Sequence, residues 1–170
     1  MKMKLNKIAL TLVAPLALGS FAFAKAEKDI VDTAVAAGSF KTLVSLVQKA
    51  GLVDTLKGTG PFTVLAPSDA AFAKLPKALV AKIVGDKKLL TSILTYHVIA
   101  GKVLSTDLKN GLKAKTVQGE EVTVMIKGKT VTFNKSKVSA ADIMATNGVI
   151  HVIDTVLVPP TILKALSAKK

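Results

Sequence analysis

Gly148-Val149-Ile150-His151-Val152-Ile153 is apolar on both alternating faces. As a strand, such a run has no side to leave to water, so it must lie inside a sheet and be covered twice. It carries one of only two histidines in the chain, and Asn147 and Asp154 bracket it. Polar groups there need partners, because each buried donor or acceptor left unpaired costs about 1–3 kcal/mol. His151, Asn147 and Asp154 are therefore expected to act as struts to other parts of the chain, with the polar segment around Ser68 as their counterpart.

The first half reads as helical. Asp29 to Ala37 is a short helix stopped at Gly38. Ser39 is expected to cap the next helix, with Phe40, Leu43, Val44 and Val47 at helical spacing up to Gly51. Leu52 to Leu56 adds a turn. Phe62 to Leu65 is a short strand ended by Pro67. Ser68 caps a helix over Asp69 to Lys74, and Asp69 lies in its first turn, where the helix dipole favours a carboxylate. Pro76 opens a helix to about Val84, and Lys87 to Tyr96 forms another. His97, four residues after Ile93, falls on the buried side of that helix.

From residue 122 the period changes from helix to strand. "VTVMIKGKTVTF" is expected to be a hairpin turning at Lys127-Gly128, with Ile126 opposite Lys129, Val124 opposite Val131 and Val122 opposite Phe133. Lys135 to Val138 extends the meander. Val149 to Ile153, then Val156 and Leu157, supply the closing strand, and Thr161 to Leu166 a terminal helix. Helices first and mostly antiparallel strands after define an α+β domain.

Residues 1–24 do not belong to that domain. Lys2, Lys4 and Lys7 precede an apolar stretch from Ile8 to Phe23, and Ala22-Phe23-Ala24 is a small-x-small cleavage site. This is the pattern of a signal peptide cut after Ala24 or Ala26, so the expected product is an exported protein, periplasmic or extracellular. The mature domain then spans residues 25–170, with its core over about 28–166, and no membrane span follows the cleavage site. With no cysteine in the chain, packing alone must hold it. Without the three leader lysines, 21 lysines face 11 acids, a net charge of +10, and there is no arginine. Lysine is a hydrated point charge, whereas arginine recognises phosphate and carboxylate bidentately. The excess therefore suits diffuse attraction to an anionic surface better than a shaped anion pocket. Export and the scarcity of aromatics argue against nucleic acid as the partner.

Chemical motifs are thin. Ser68 lies in "APSDAAF", which lacks the Gly-x-Ser-x-Gly elbow of a hydrolase nucleophile. His151 and Asp154, three apart in a strand, leave opposite faces and form no local dyad. No spacing suits zinc, calcium or a phosphate-cradling loop. No enzymatic activity, cofactor or metal is expected.

"FTVLAPSDAAF" (Phe62 to Phe72), "LTYHVIAGKV" (Leu94 to Val103) and "NGVIHVIDTVLVP" (Asn147 to Pro159) resemble, in order and spacing, the signature segments of the fasciclin domain family. The resemblance implies a wedge: a twisted, antiparallel β-sandwich core of about seven strands with helices packed around it. It implies a non-enzymatic role in cell adhesion and extracellular-matrix contact; with the lysine excess, the expected partner is a surface protein, matrix protein or anionic polysaccharide, and the chain is expected to be a monomer. In animal relatives integrin contact is assigned to an Asp-Ile pair, matched here by Asp142-Ile143, and to a Tyr-His pair, matched by Tyr96-His97. The acidic-Pro that usually precedes that Asp is Ala140-Ala141 here. Some relatives bind carotenoids, so the alternative role is carriage of a small apolar ligand such as a carotenoid or lipid. Ser68, Asp69, Asn147, His151 and Asp154 are the polar residues of the signatures, and the resemblance makes them structural.

Overall fold

The computed structural model describes residues 28–168; the leader and its cleavage site lie outside them. Seven helices and seven strands follow in order: α1 (Ile30–Ala37), α2 (Lys41–Ala50), α3 (Val53–Leu56), β1 (Phe62–Pro67), α4 (Asp69–Ala73), α5 (Lys77–Gly85), α6 (Lys87–Tyr96), β2 (Val98–Ala100), β3 (Lys113–Lys115), β4 (Glu121–Lys127), β5 (Thr130–Phe133), β6 (Ser136–Ala145), β7 (Gly148–Ile153) and α7 (Pro160–Ser167). A 3₁₀ turn, Ser105–Asp107, lies between β2 and β3.

The strands form one sheet in the order β2-β1-β7-β6-β5-β4-β3, so the expected sandwich is a single curled ladder. Its two edges meet through an isolated bridge between Ile99 and Thr116, which nearly closes it into a barrel. Every pairing is antiparallel except β1 with β7, which run parallel with Leu65 beside His151. The closing strand thus sits between β1 and β6, and all its residues but Val152 are buried. It stops at Ile153; Val156 and Leu157 are buried in the connection to α7.

Two apolar cores result. One lies between the helices and the sheet and includes Ile30, Leu43, Val47, Leu90, Ile93, Leu94 and Ile150. The other fills the curl of the sheet and includes Leu65, Tyr96, Ile99, Val122, Val124, Phe133 and Ile153.

Local chemistry explains most helix ends. Asp29 caps α1 by accepting from the Asp32 N–H at 2.9 Å, and Gly38 ends it at φ +72°. Asp86 caps α6 in the same way. The start of α2 departs from expectation. Its cap position is Phe40, not Ser39, and no local side chain serves it. The Asp69 carboxylate reaches across from α4 and accepts from the Thr42 N–H at 2.8 Å and the Lys41 N–H at 3.4 Å.

The β4–β5 hairpin also departs in register. Val124 faces Phe133, Ile126 faces Val131 and Lys127 pairs with Thr130, so the turn is Gly128-Lys129. Gly128 takes φ +61°, the conformation that a type II′ turn requires at its first central position. A turn at Lys127-Gly128 would place a lysine there. The slip is two residues, so the inward set of Val122, Val124, Ile126, Val131 and Phe133 is unchanged.

Candidate functional site

His151 is fully buried in β7. Its Nε2 lies 2.7 Å from the Val103 carbonyl, and the Asp142 N–H points at its Nδ1 at 3.3 Å. A carbonyl needs a donor and an N–H needs an acceptor, so the ring is neutral with its proton on Nε2. The Phe133 ring lies 6.0 Å away, centroid to centroid. His151 therefore ties the loop after β2 and the middle of β6 to the central strand. Its partners are these two segments, not the segment around Ser68.

Asp142 sits at φ +58° within β6, where the pairing with β7 shifts register twice between Val138 and Ile143. The segment is a bulge inside a strand that runs to Ala145. Outside glycine this conformation is sparsely populated, and only surrounding contacts hold it. The contacts are evident. The Asp142 carboxylate accepts from the Ser105 N–H at 2.7 Å and from the Ser105 hydroxyl. Partial burial alone would raise its pKa, but the two Ser105 bonds outweigh that and hold it below the usual carboxylate range. Ile143 is half-buried, pairs with Ile150 and packs on the helix-side core.

Tyr96 and His97 are adjacent and face opposite cores. Tyr96 is fully buried in the curl of the sheet. Its hydroxyl donates to the Glu121 carbonyl at 3.2 Å and accepts from the Asn134 amide at 2.9 Å. Burial raises its pKa. His97 is 2 % exposed. Its Nδ1 donates to the Ile93 carbonyl at 2.7 Å, and its Nε2 accepts the Leu157 N–H at 2.9 Å. The tautomer is the reverse of that of His151. Burial pulls the His97 pKa down to about 4, with the Ile93 bond acting weakly against it.

The remaining signature polar groups are engaged as well. Ser68 caps α4 through the Ala71 N–H at 3.3 Å. The Asn147 amide donates to the Leu56 and Gly58 carbonyls at 2.5 and 3.0 Å, and its oxygen accepts the Ile30 N–H at 3.0 Å. Asp154 accepts from the Lys137 N–H at 3.1 Å and pairs with Lys74. Ser68, His151 and Asp154 thus serve three different partners and do not converge into a triad.

The structure adds two further features. An apolar cavity of about 40 Å³ opens between α1, α2, α3, α6 and the sheet. The second is a bare lysine edge. Among the described residues Lys57, Lys74 and Lys113 are the lysines in ion pairs. Lys77, Lys82, Lys87 and Lys88 stand exposed along α5 and the start of α6, and the acid between them, Asp86, is turned onto the α6 N-terminus. Clustering of lysines in sequence was a signal for this edge; the cavity left none, because ordinary core residues line it.

The family model for the fasciclin domain matches residues 38–159, and the chain belongs to that family. It is 44 % identical over 133 residues to Protein sll1483 of Synechocystis sp., covering 77 % of this chain and 73 % of that one. It is 42 % identical over 131 residues to the pig transforming growth factor-beta-induced protein ig-h3, covering 77 % of this chain and 19 % of that longer protein. It is 42 % identical over 109 residues to the cell surface glycolipoprotein MPB83 of Mycobacterium bovis, covering 64 % of this chain and 48 % of that one. A solved FAS1 domain pair from the insect cell adhesion molecule fasciclin I shares the fold at a TM-score of 0.57 and 22 % identity, over 74 % of this chain and 47 % of that one. No described helix is long and apolar enough to cross a membrane.

Proposed function

We propose that this is an exported, non-enzymatic adhesion module that docks on anionic polysaccharide or an acidic surface or matrix protein through the α5–α6 lysine edge. The carrying observation is that edge: four exposed lysines whose neighbouring acid is occupied as a helix cap. Flexible, exposed cations give salt-dependent, low-specificity attraction. Family membership and the leader-like first 24 residues support the setting. The two pairs marked by the family resemblance would work differently. Tyr96 and His97 are interior, and Asp142 is already held by Ser105, so a partner at Asp142-Ile143 would have to displace that serine. The lysine edge needs no rearrangement.

The test is retention on immobilised anionic polysaccharide as ionic strength rises, for the native chain and for a variant with Lys77, Lys82, Lys87 and Lys88 changed to glutamine. Native retention should fall steeply with salt, and the variant should elute earliest. Retention indifferent to salt, or equal in both proteins, removes the proposal.

A second reading is favoured by the helix-side cavity: carriage of a small apolar molecule. Its lining is apolar apart from Thr55, Thr95 and His97, and concave apolar sites with few polar groups are where such ligands bind.

A further inference from the structure

We infer that the helix-side cavity takes one unbranched aliphatic chain, end-on, with the head of the molecule left in water, and that it rejects ring-bearing apolar molecules. This rests on the second reading above and narrows it to a ligand class.

The lining supplies no anchor for a polar group inside. Ile30, Ala34, Leu43 and Val47 form the helical wall, and Val64 and Ile150 form the floor on the sheet. His97 lines the cavity, but both its nitrogens are bound to backbone, at Ile93 and Leu157. The Thr95 hydroxyl donates to the Thr91 carbonyl at 2.8 Å within its own helix. That leaves the Thr55 hydroxyl, which stands exposed at the rim together with Val117, itself 43 % exposed. A ligand with a polar group deep in the cavity would leave that group unpaired, at a cost that opposes binding.

Size sets the second limit. The cavity encloses about 40 Å³, roughly a quarter of the ~150 Å³ cavity that admits benzene. A ring does not fit that space, whereas the narrow cross-section of a methylene chain does. A smaller cavity of about 10 Å³ lies on the far side of Leu94 and His97, which line both. The inner end of the slot is thus a partition of two side chains, and a chain long enough to reach it stops there.

Neutral n-alkanols of increasing length, from butanol upward, are the probe, because they carry no charge for the lysine edge to attract. Binding is followed by calorimetry and by the methyl shifts of Val47 and Ile150. Affinity should rise about fourfold per added methylene, then level off at the length that meets the partition. Ala34→Leu, which fills the wall, should weaken binding at least tenfold or bring the plateau to shorter chains. Leu94→Ala, which opens the partition, should move the plateau to longer ones. Cholesterol and β-carotene should leave those methyl shifts unmoved. If either binds there one-to-one, the chain-only inference fails while the carrier reading stands. If no alkanol, sterol or polyene shifts the lining methyls, both fail.

Discussion

The two cores of this molecule are built on the same sheet and packed to different standards. The curl of the sheet holds Tyr96, Leu65, Val122, Val124, Phe133 and Ile153, each fully buried. The helix-side core is bounded by short helices, and both cavities described above lie within it. Strands joined by hydrogen-bonded ladders hold their inward side chains at a fixed spacing. Helices meet a sheet only through side chains, and short ones leave gaps between them. One core specifies the fold, while the other leaves room for something else.

The sharpest way to break this contrast is to remove volume where there is none to spare. Phe133→Ala should cost about 3–5 kcal/mol, measured by denaturant unfolding, because the curl cannot collapse onto the space. A loss below 1 kcal/mol would mean that the sheet core is looser than described.

His97, buried on the helix side, adds a test through pH. His97 titrates in the unfolded chain near 6.5 and in the folded one at about 4, so between those values the unfolded state binds more protons. Stability is therefore complete above pH 6.5 and is lost as pH falls towards 4, by about 3 kcal/mol from this group. Asp29, Asp69, Asp142 and Asp154 are also depressed and act in the same direction at still lower pH. His97→Leu should flatten the pH 6.5 to 4 segment of the stability curve while lowering stability at pH 7, since the Leu157 N–H loses its acceptor. An unchanged slope would show that another group carries the acid sensitivity.

Added volume should separate the cores by sign. Val122→Leu in the curl should cost about 1–3 kcal/mol through overpacking, whereas Ala34→Leu on the helix side should be neutral or stabilising. Equal penalties would erase the distinction. The smallest effect expected is that of Ser68→Ala, about 1 kcal/mol from the lost cap, read as a shift in the unfolding midpoint.

What the sequence revealed follows the same divide. Elements with strong local signals were legible: α6 spans Lys87–Tyr96 as its apolar spacing requires, and β7 stands inside the sheet as an all-apolar run must. The inward face of the hairpin was legible even though its turn was misplaced, because a two-residue slip preserves parity. Long-range substitutions of partner were not. That Asp69 caps α2, or that His151 meets Val103 and Asp142, depends on segments brought together only by the fold. The second half of β6 was hidden because Ser139-Ala140-Ala141-Asp142 has no strand-forming side chains and is bulged. Three-residue strands such as β2 and β3 carry too little pattern to declare themselves.

The amide of Asn147 joins the N–H of Ile30 to a turn 117 positions later, and β1 lies against a strand that begins at Gly148. A chain emerging amino end first, from a ribosome or through a pore, can form its early helices and the β1–β2 pair but lacks the strand that joins them to the rest of the sheet. The central ladder cannot be zipped until nearly the last segment has appeared. Such an architecture stays threadable through most of its own synthesis, and turns rigid only when its tail arrives.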